Sequence, residues 1–319
     1  MFKILVIRLS SIGDIVLTTP VVRCIKQQLP GAEVHYLTKK QFEPVLSSNP
    51  YIDKLWLYEG EFGKLIPQLR AEKFDFIVDL HKNQRSTLIK LRLCRPSGTF
   101  CKLNIRKWLI VNLKWNILPD IHIVDRYFGA VKKLGVKNDG KGLDYFIPSA
   151  DEVVPAYPQF IAMVIGGKHN TKIFPPVKVA EVLSKLDKPV ILLGGREDHA
   201  RGEEILKLAS KPVQNVCGTL SLNQSASLLR QSSAVMTNDT GLMHIAAALG
   251  KKIVSVWGNT IPGFGMYPYL PKASPEQFIA EVKGLSCRPC SKLGFEECPK
   301  KHFRCMLDIS ADEIAKHLE

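Results

Sequence analysis

Residues 234–250, AVMTNDTGLMHIAAALG, join an apolar run to a helical pattern through a short turn that contains glycine. The run AVMTN is typical of a buried strand. Backbone N–H groups at Thr240 and Gly241 would then point out of the start of the helix, where the helix dipole favours an anion such as a diphosphate. Asp239 would accept hydrogen bonds from sugar hydroxyls, and His244 would face the same opening. The plainer alternative is a capped helix with a histidine in the core.

The same order of strand, turn and helix recurs along the whole chain of 319 residues. The predicted strands are 3–9, 33–38, 54–58, 74–80 and 98–103, followed by 160–165, 189–193, 213–217, 234–237 and 252–256. Such alternation, with strands that are near-continuous apolar runs, predicts parallel sheets covered by helices on both faces. The fold class is therefore α/β, and ligands are expected at the carboxyl ends of the strands.

The stretch 149–159, SADEVVPAYPQ, interrupts this alternation with acidic residues and prolines. We therefore predict an N-terminal domain over residues 1–152 and a C-terminal domain over residues 153–319, each close to the usual size of one domain. Capping boxes are predicted at Ser221–Gln224 and Ser310–Glu313. The second of these begins a terminal helix over 311–317.

The first strand-to-helix turn, RLSSIGD, has one glycine where the dinucleotide-binding pattern has three. Its useful group is the carboxylate of Asp14 directly after Gly13, although aspartate is also a common helix cap. Two turns of the second half contain glycine beside charged residues. Lys168 and Lys172 follow Gly166-Gly167 and would bind phosphate, whereas Glu197 and Asp198 follow Gly194-Gly195 and would bind ribose hydroxyls.

Positive charge is concentrated in the first half of the chain. Residues 1–150 contain 24 Lys/Arg against 13 Asp/Glu, and residues 151–319 contain 20 against 17, which gives the net charge of +14. Nine basic residues and no acidic one lie between Leu80 and Pro119. This excess favours an anionic partner, which from charge alone is nucleic acid, a phospholipid surface or a polyanionic substrate. The alternative is a solvated basic face.

The N-terminal run MFKILVIRL does not have the pattern of a signal peptide, and no stretch has the roughly 20 apolar residues of a membrane-spanning helix. We therefore expect a reducing compartment for the eight cysteines and only peripheral membrane contact. Cys287, Cys290, Cys298 and Cys305 cluster near His302. From this spacing zinc binding, reduced structural thiols and disulfides all stay open.

The quoted turns resemble those of glycosyltransferase family 9, the ADP-heptose:lipopolysaccharide heptosyltransferases, over nearly the whole chain. The matching residues are SSIGD ending at Asp14, KIFP beginning at Lys172, GGxxD ending at Asp198, and DTGxxH from Asp239 to His244. The resemblance implies a GT-B fold of two doubly wound Rossmann-like domains facing a central cleft. The acceptor is then bound by the N-terminal domain and the sugar nucleotide by the C-terminal domain. The terminal helix is expected to pack back on the N-terminal domain.

The resemblance also implies roles for individual residues. Asp14 is the proposed general base, and Lys172 contacts the donor phosphates as the second catalytic residue. No metal or other cofactor is implied beyond the substrate ADP-heptose. The sequence departs from the family just before Lys172, where Gly167 and Lys168 replace hydroxyl residues.

The predicted function is therefore an inverting glycosyltransferase that moves a heptose from ADP-heptose to the lipopolysaccharide inner core. It would act at the inner, cytoplasmic face of the membrane on an anionic lipid-linked acceptor, with no nucleic acid partner. The predicted donor-binding residues are Gly167, Lys168, Lys172, Glu197, Asp198, Asp239, Thr240, Gly241 and His244. The predicted acceptor-binding residues are Ser10, Ser11, Gly13, Lys82, Arg85, Arg106 and Lys107. The alternatives are another activated sugar, a sugar-nucleotide epimerase and a non-catalytic binding protein.

Overall fold

The computed structural model describes residues 2–271 and 276–319. The chain divides into two compact units. The first unit is formed by the residues up to Lys102 and by Ile121–Phe146, and the second by Leu103–Asp120 and Ile147–Glu319. The second unit thus begins slightly before the predicted boundary, and it also includes a segment from the predicted N-terminal domain.

The helices alternate with strands, as the sequence pattern predicts. In chain order they are α1 (Ile12–Val16), α2 (Thr19–Gln28), α3 (Phe62–Ala71), α4 (Gln84–Leu93), α5 (Asn104–Leu113), α6 (Ile123–Tyr127), α7 (Pro176–Ser184), α8 (His199–Leu208), α9 (Leu222–Gln231), α10 (Gly241–Ala248), α11 (Arg304–Leu307) and α12 (Ala311–Leu318). At the start of α9 the predicted capping box is present, because Gln224 N–H donates to Ser221 Oγ and Ser221 N–H donates to Gln224 Oε1. At the start of α12 the bond from Glu313 N–H to Ser310 Oγ is formed.

The first unit contains a parallel sheet with the strand order β3-β2-β1-β4-β5. Its strands are β1 (Phe2–Ile7), β2 (Ala32–Lys39), β3 (Lys54–Tyr58), β4 (Phe76–Asp79) and β5 (Ser97–Thr99). The central strand β1 is an apolar run whose last four residues are fully buried, as expected for a strand covered on both faces. The predicted strand 98–103 is shorter than expected, because β5 ends at Thr99 and residues 100–103 belong to neither β5 nor α5.

The second unit contains a parallel sheet with the order β11-β10-β9-β6-β7-β8. Its strands are β6 (Ile161–Val164), β7 (Val190–Leu193), β8 (Val213–Asn215), β9 (Ala234–Asn238), β10 (Ile253–Trp257) and β11 (Gln277–Glu281). All ten predicted strands are present in the two sheets, and β11 is an additional strand that the sequence analysis missed.

Each sheet has one position where the chain reverses the direction in which it adds strands. In the first unit β2 and β3 extend the sheet on one side of β1, and β4 then pairs on its other side. In the second unit β7 and β8 lie on one side of β6, and β9 pairs on the other. In open parallel sheets the carboxyl end of this switch point is the usual ligand site. The turns after β1, β4, β6 and β9 are therefore the first places to look for function.

The terminal helix α12 lies within the second unit. It packs on α7 and on strands β9, β10 and β11, and its residues Ile314 and Leu318 belong to the core of that unit. The sequence analysis expected this helix to pack on the N-terminal domain. The apolar residues of α12 complete the layer that covers the second sheet, and packing on the N-terminal domain stays a prediction.

Candidate active site

The turn after β1 contains an ion pair. Asp14 lies in the first turn of α1, and its Oδ1 is 2.6 Å from Nη2 of Arg8. Its other oxygen, Oδ2, accepts a 2.8 Å hydrogen bond from the hydroxyl of Ser11. The N-cap of α1 is thus Ser11 and not Asp14, which pairs with Ser11 as the third residue of the helix and is also held by a buried arginine.

Arg8 is fixed by four groups of the first unit. Besides Asp14, its guanidinium donates to the carbonyl oxygens of Ser10 (2.7 Å) and Leu80 (2.6 Å) and to the hydroxyl of Tyr127 (3.1 Å). Burial opposes the charge of Arg8, but the carboxylate of Asp14, together with the hydroxyls of Tyr127 and Tyr36, outweighs burial and the pKa of Arg8 is raised. The sequence analysis did not propose Arg8 as a functional residue. Its only signal was a basic residue at the end of a buried strand.

The turn after β4 is organised by Asp79, which is fully buried. Its carboxylate accepts hydrogen bonds from the backbone N–H groups of His81 and Lys82, from Ser86 Oγ and from Lys90 Nζ, at 2.7 to 3.0 Å. These bonds hold His81 and Lys82 at the carboxyl end of the strand that neighbours β1. The predicted acceptor residue Lys82 donates its ammonium to the carbonyl of Phe100 at 3.0 Å.

His81 is a second residue of this edge that the sequence analysis missed. Its Nδ1 is buried and has no hydrogen-bond partner in the described part of the chain. Burial, together with the positive charges of Arg8 and Lys102, lowers the pKa of His81 to about 4. The imidazole is therefore neutral near pH 7.

A cavity of about 740 Å³ lies at the same end of the first sheet, where strands β2 and β3 end. Lys39, Lys40 and Arg85 line it, and Lys40 is paired with Glu59 at 2.5 Å. Arg85, which was predicted to bind the acceptor, thus shares the cavity with two lysines that were not. The predicted residues Ser10, Ser11 and Gly13 lie in the turn around Asp14.

The two remaining acceptor residues of the prediction, Arg106 and Lys107, lie on α5. This helix belongs to the second unit, not to the first. Lys107 Nζ is 5.3 Å from the centre of the Phe264 ring in that same unit. The basic stretch between Leu80 and Pro119 is thus divided between the two units, a division that charge along the sequence could not reveal.

The switch point of the second sheet contains a lysine paired with a carboxylate. Lys172 Nζ is 2.5 Å from Asp239 Oδ2, and Thr260 Oγ1 donates to the same oxygen at 3.1 Å. The turns that hold these residues are joined by Asn238, whose amide donates to the carbonyl of Gly166 and accepts from the N–H of Phe174. The structure therefore brings together Lys172 and Asp239, which are 67 residues apart in the sequence.

Helix α10 begins at Gly241, next to this pair, and its N-cap is Thr240. The Thr240 side chain makes no capping hydrogen bond, and its Oγ1 is buried without a partner among the described residues. The backbone N–H groups of the first turn are thus not capped by Thr240, which is the arrangement that binds an anion. His244 lies further along the helix and is buried, with 3% of its surface exposed.

Asp198, whose contact with the donor stays a prediction, is turned toward the protein interior. It is buried, its Oδ2 accepts from the N–H of Gly195 at 2.9 Å and its Oδ1 is 2.5 Å from Arg201. A Cβ atom placed on Gly166 would be only 2.1 Å from Asp198 Oδ2. Asp198 therefore contacts both glycine turns, and each of its two carboxylate oxygens already has one partner.

Two exposed side chains near these turns, Lys168 and Glu197, stay predicted donor contacts, as does Gly167. Asn259, which follows β10 and was not predicted, is buried, and both atoms of its amide lack a partner among the described residues. Polar residues directly after a buried strand, as in VWGNT, were the available signal. Asn259 and Thr260 extend the polar edge from β9 to β10.

One group of side chains in the described residues has the spacing of a metal site: Glu33, His35 and Glu72. His35 is already bonded to Glu33 through Nε2 (2.7 Å) and to Trp56 through Nδ1 (3.0 Å), and Lys3 pairs with both glutamates. The group is an ion-pair network whose polar atoms are already satisfied.

The cysteines of the structure are all free thiols. Cys287 Sγ lies 3.8 Å from His302 Nε2. Burial raises the pKa of Cys290 to about 11, with Cys287 contributing, and that of Cys305 to about 12.

The model of one protein family, Glycosyltransferase family 9 (heptosyltransferase), matches residues 62–293, which is more than half of the chain. The chain belongs to glycosyltransferase family 9. It is therefore a glycosyltransferase, as the resemblance of its turns implied.

Curated members of family 9 are similar to the chain over most of its length. The lipopolysaccharide heptosyltransferase 2 of Salmonella typhimurium is 26% identical over 298 residues, which cover 82% of this chain and 84% of that protein. The lipooligosaccharide heptosyltransferase 2 of Haemophilus ducreyi is 26% identical and covers 99% of this chain and 98% of its own. Among solved structures, the ADP-heptose lps heptosyltransferase II of E. coli aligns with a TM-score of 0.74 and 22% identity over 99% of this chain and 97% of that one. The family 9 chain thus has the GT-B fold that the sequence predicts.

Proposed function

We propose that this chain transfers a heptose from ADP-heptose to the inner core of a lipid A-linked acceptor, with inversion of the anomeric centre. The observation that carries the proposal is the Lys172–Asp239 pair beside the open start of α10, at the switch point of the second sheet. Relatives that cover nearly the whole chain are named as lipopolysaccharide or lipooligosaccharide heptosyltransferases. Their names support heptose as the transferred sugar.

The second unit contributes the chemistry of the leaving group. As the glycosidic bond to ADP breaks, negative charge grows on the diphosphate. The ammonium of Lys172 and the N–H groups of Thr240 and Gly241 provide positive charge that is already in place, so little reorganisation is needed during the reaction. Asp239 orients Lys172 and offers its remaining acceptor capacity to a sugar hydroxyl.

The first unit contributes the base. The attacking hydroxyl must lose a proton, and the carboxylate of Asp14 accepts it in our proposal. Arg8 and Ser11 each bind one oxygen of Asp14, which fixes the orientation of the carboxylate. Attack by the hydroxyl on the face opposite the departing ADP gives the inverted product directly, without a covalent intermediate on the protein.

The acceptor is anionic in our proposal, because phosphate and acidic-sugar groups fit the basic cavity that Lys39, Lys40 and Arg85 line. The described residues include no helix long and apolar enough to cross a membrane. We place the reaction at the inner, cytoplasmic face of the membrane, with peripheral contact. We assign it no metal or other cofactor and no nucleic acid partner.

The test is to measure nucleotide release from ADP-heptose, ADP-glucose and a UDP-hexose, each with and without a heptose-free lipid A-linked acceptor. We expect ADP release only from ADP-heptose and only with the acceptor, with Asp14→Asn as the inactive control. Turnover of another donor would replace heptose with that sugar. Conversion of a donor without an acceptor would instead indicate an epimerase, and tight donor binding without turnover a non-catalytic protein.

A further inference from the structure

Helix α5 and the residues after it expose an unusual number of large apolar side chains. Ile105 is 78% exposed, Trp108 55%, Leu113 59% and Trp115 62%. Trp108 and Trp115 are two of the four tryptophans in the chain. Large exposed apolar residues that are grouped in one segment point to an interaction site more than single exposed apolar residues do.

Two of the exposed side chains on α5, Ile105 and Trp108, lie on one face, whereas Leu113 lies at the end of the helix on another side. With a helical turn of about 100° per residue, Ile105 and Trp108 point away from Ile110, the buried residue of this helix. The helix therefore packs on the protein by its Ile110 side and presents isoleucine and tryptophan to the outside. We use the name α5 apolar face for the large exposed apolar residues of α5 and of the segment directly after it, which are Ile105, Trp108, Leu113 and Trp115.

The α5 apolar face is held outward by bonds within the second unit. Lys107 Nζ stands 5.3 Å over the ring of Phe264, and Lys114 Nζ donates to the carbonyl oxygens of Cys287 (3.0 Å) and Pro289 (2.7 Å). These contacts tie both ends of the helix. Rotating the apolar side chains inward would break them, so the exposure belongs to an anchored element.

The charges around this face indicate the kind of partner. The segment 103–120 contains Arg106, Lys107 and Lys114 against one acidic residue, Asp120, at its end. Tryptophan favours the boundary between headgroups and acyl chains, and basic residues beside it are attracted to anionic lipids. A second copy of the chain would bring like charges together, because the whole chain is also basic.

We propose that the α5 apolar face, with exposed Arg106 beside it, inserts into the headgroup region of a bilayer that contains anionic lipid. This inference uses one part of the proposed function, which is that the acceptor lies in a membrane. Trp108 and Trp115 provide the apolar contact, and Arg106 provides attraction to lipid phosphates. The bilayer surface is the partner, and the lipid-linked acceptor is bound elsewhere.

The test is co-sedimentation of the whole protein with vesicles of phosphatidylcholine alone or mixed in equal parts with phosphatidylglycerol. The double variant Trp108→Ser/Trp115→Ser should bind the anionic vesicles at least about tenfold more weakly than wild type. Arg106→Gln should weaken that binding about fivefold at low salt and less at high salt. The matched control is Val154→Ser/Val177→Ser, which removes two exposed apolar side chains elsewhere in the same unit and should bind as wild type.

Two further measurements separate this inference from the proposed function. The melting temperature and the rate with a deacylated, water-soluble acceptor should be the same in the tryptophan double variant and in wild type. Unchanged vesicle binding by a folded double variant would overturn the inference. A dimer of the wild-type protein without lipid that the substitutions dissociate would also overturn it, because the α5 apolar face would then join two copies of the chain. Lipid binding that depends on the tryptophans supports it even if no heptose is transferred.

Discussion

The two units each place a salt bridge at the switch point of a parallel sheet, but they present opposite charges. In the first unit the side chain of Arg8 is 9% exposed and that of its partner Asp14 is 24% exposed. In the second unit Lys172 and Asp239 are almost equally exposed, at 16% and 14%, and the open start of a helix lies beside them. Similar pairs of residues therefore offer a carboxylate on one sheet and positive charge on the other.

The difference shows that the surroundings of an ion pair decide its chemistry. Arg8 is enclosed by two carbonyl oxygens and a tyrosine, so only Asp14 is left to meet a ligand. Lys172 has the N–H groups of α10 as neighbours, and these add to its positive charge. A base and an anion site can therefore be built from the same residue types on the same kind of sheet.

The largest expected effect comes from removing the proposed proton acceptor of the first pair. Asp14→Asn should lower kcat by roughly 10²–10⁴-fold while the dissociation constant for ADP-heptose stays nearly unchanged. The variant also leaves the buried Arg8 with a weaker partner, so its melting temperature must be measured in parallel. Ser11→Ala is the matched control, because it removes a hydrogen bond to Asp14 and keeps the carboxylate. Near-normal kcat in a folded, donor-binding Asp14→Asn protein would show that another group takes the proton.

The next largest effect concerns the second pair. Lys172→Ala should weaken ADP binding roughly 30-fold, because it removes a cation from the proposed phosphate site and leaves Asp239 without its charged partner. Isothermal titration with ADP measures the change. Lys178→Ala, which removes a lysine that pairs with Glu181 on α7, should leave the affinity close to wild type.

A double variant shows how Lys172 acts. If the lysine contacts the diphosphate, Lys172→Ala/Asp239→Asn should still bind ADP weakly. If the double variant binds ADP as tightly as wild type, Lys172 only neutralises Asp239. The second pair would then not present positive charge to a ligand, and the contrast with the first pair would fail.

A smaller effect tests the rigid packing behind the second pair. Gly166→Ala should lower the free energy of unfolding by about 1–3 kcal/mol, because the added Cβ would meet Asp198 Oδ2 at 2.1 Å. Denaturant titration checks this prediction. Gly263→Ala is the control within the same unit, since its Cβ would find the nearest neighbour at an ordinary 3.6 Å. Equal stability of the two variants would mean that Asp198 can move aside.

The smallest effect concerns pH and the first unit. The pKa of folded His81 is about 4, below the ordinary histidine value of about 6.5. The unfolded chain therefore takes up a proton between these values and the folded chain does not, so His81 costs stability as pH falls from about 6.5 to 4. As the pH falls over that range, the melting temperature of His81→Gln should decrease less than that of the wild type. His199→Gln, a change of an exposed histidine on α8, controls for histidine loss in general, and identical slopes for all three proteins would contradict the prediction.

Much of the fold could be predicted, because buried parallel strands appear in the sequence as apolar runs that are followed by turns with glycine. All ten predicted strands exist, whereas β11 was missed because its sequence QFIAE has polar ends and only one fully buried residue, Ala280. The family was also correctly identified from four turns. What periodicity could not show is which unit a helix joins, and α5 is the example.

The candidate site was predictable where a turn has a recognisable sequence, as with Asp14, Lys172 and Asp239. It was not predictable where a role depends on which way a side chain turns. Asp198 follows two glycines and looks available to a ligand, but its carboxylate turns inward to fill the space that those glycines leave. Arg8 and His81 lie just after strands β1 and β4, where the sequence has no recognisable motif for them. Their place in the candidate site follows from burial beside residues that are distant in the sequence.

The position of α5 in the second unit has a consequence for synthesis on the ribosome. Lys114 is translated 173 residues before Cys287 and 175 before Pro289, whose carbonyls it binds. At a translation rate of roughly 5–20 residues per second, Cys287 and Pro289 are synthesised on the order of 10 to 35 s after Lys114. During that interval Trp108 and Trp115 are presented on an unfinished chain. The stretch most in need of a chaperone, or of an early encounter with a lipid surface, is therefore made long before the part of the protein that will hold it.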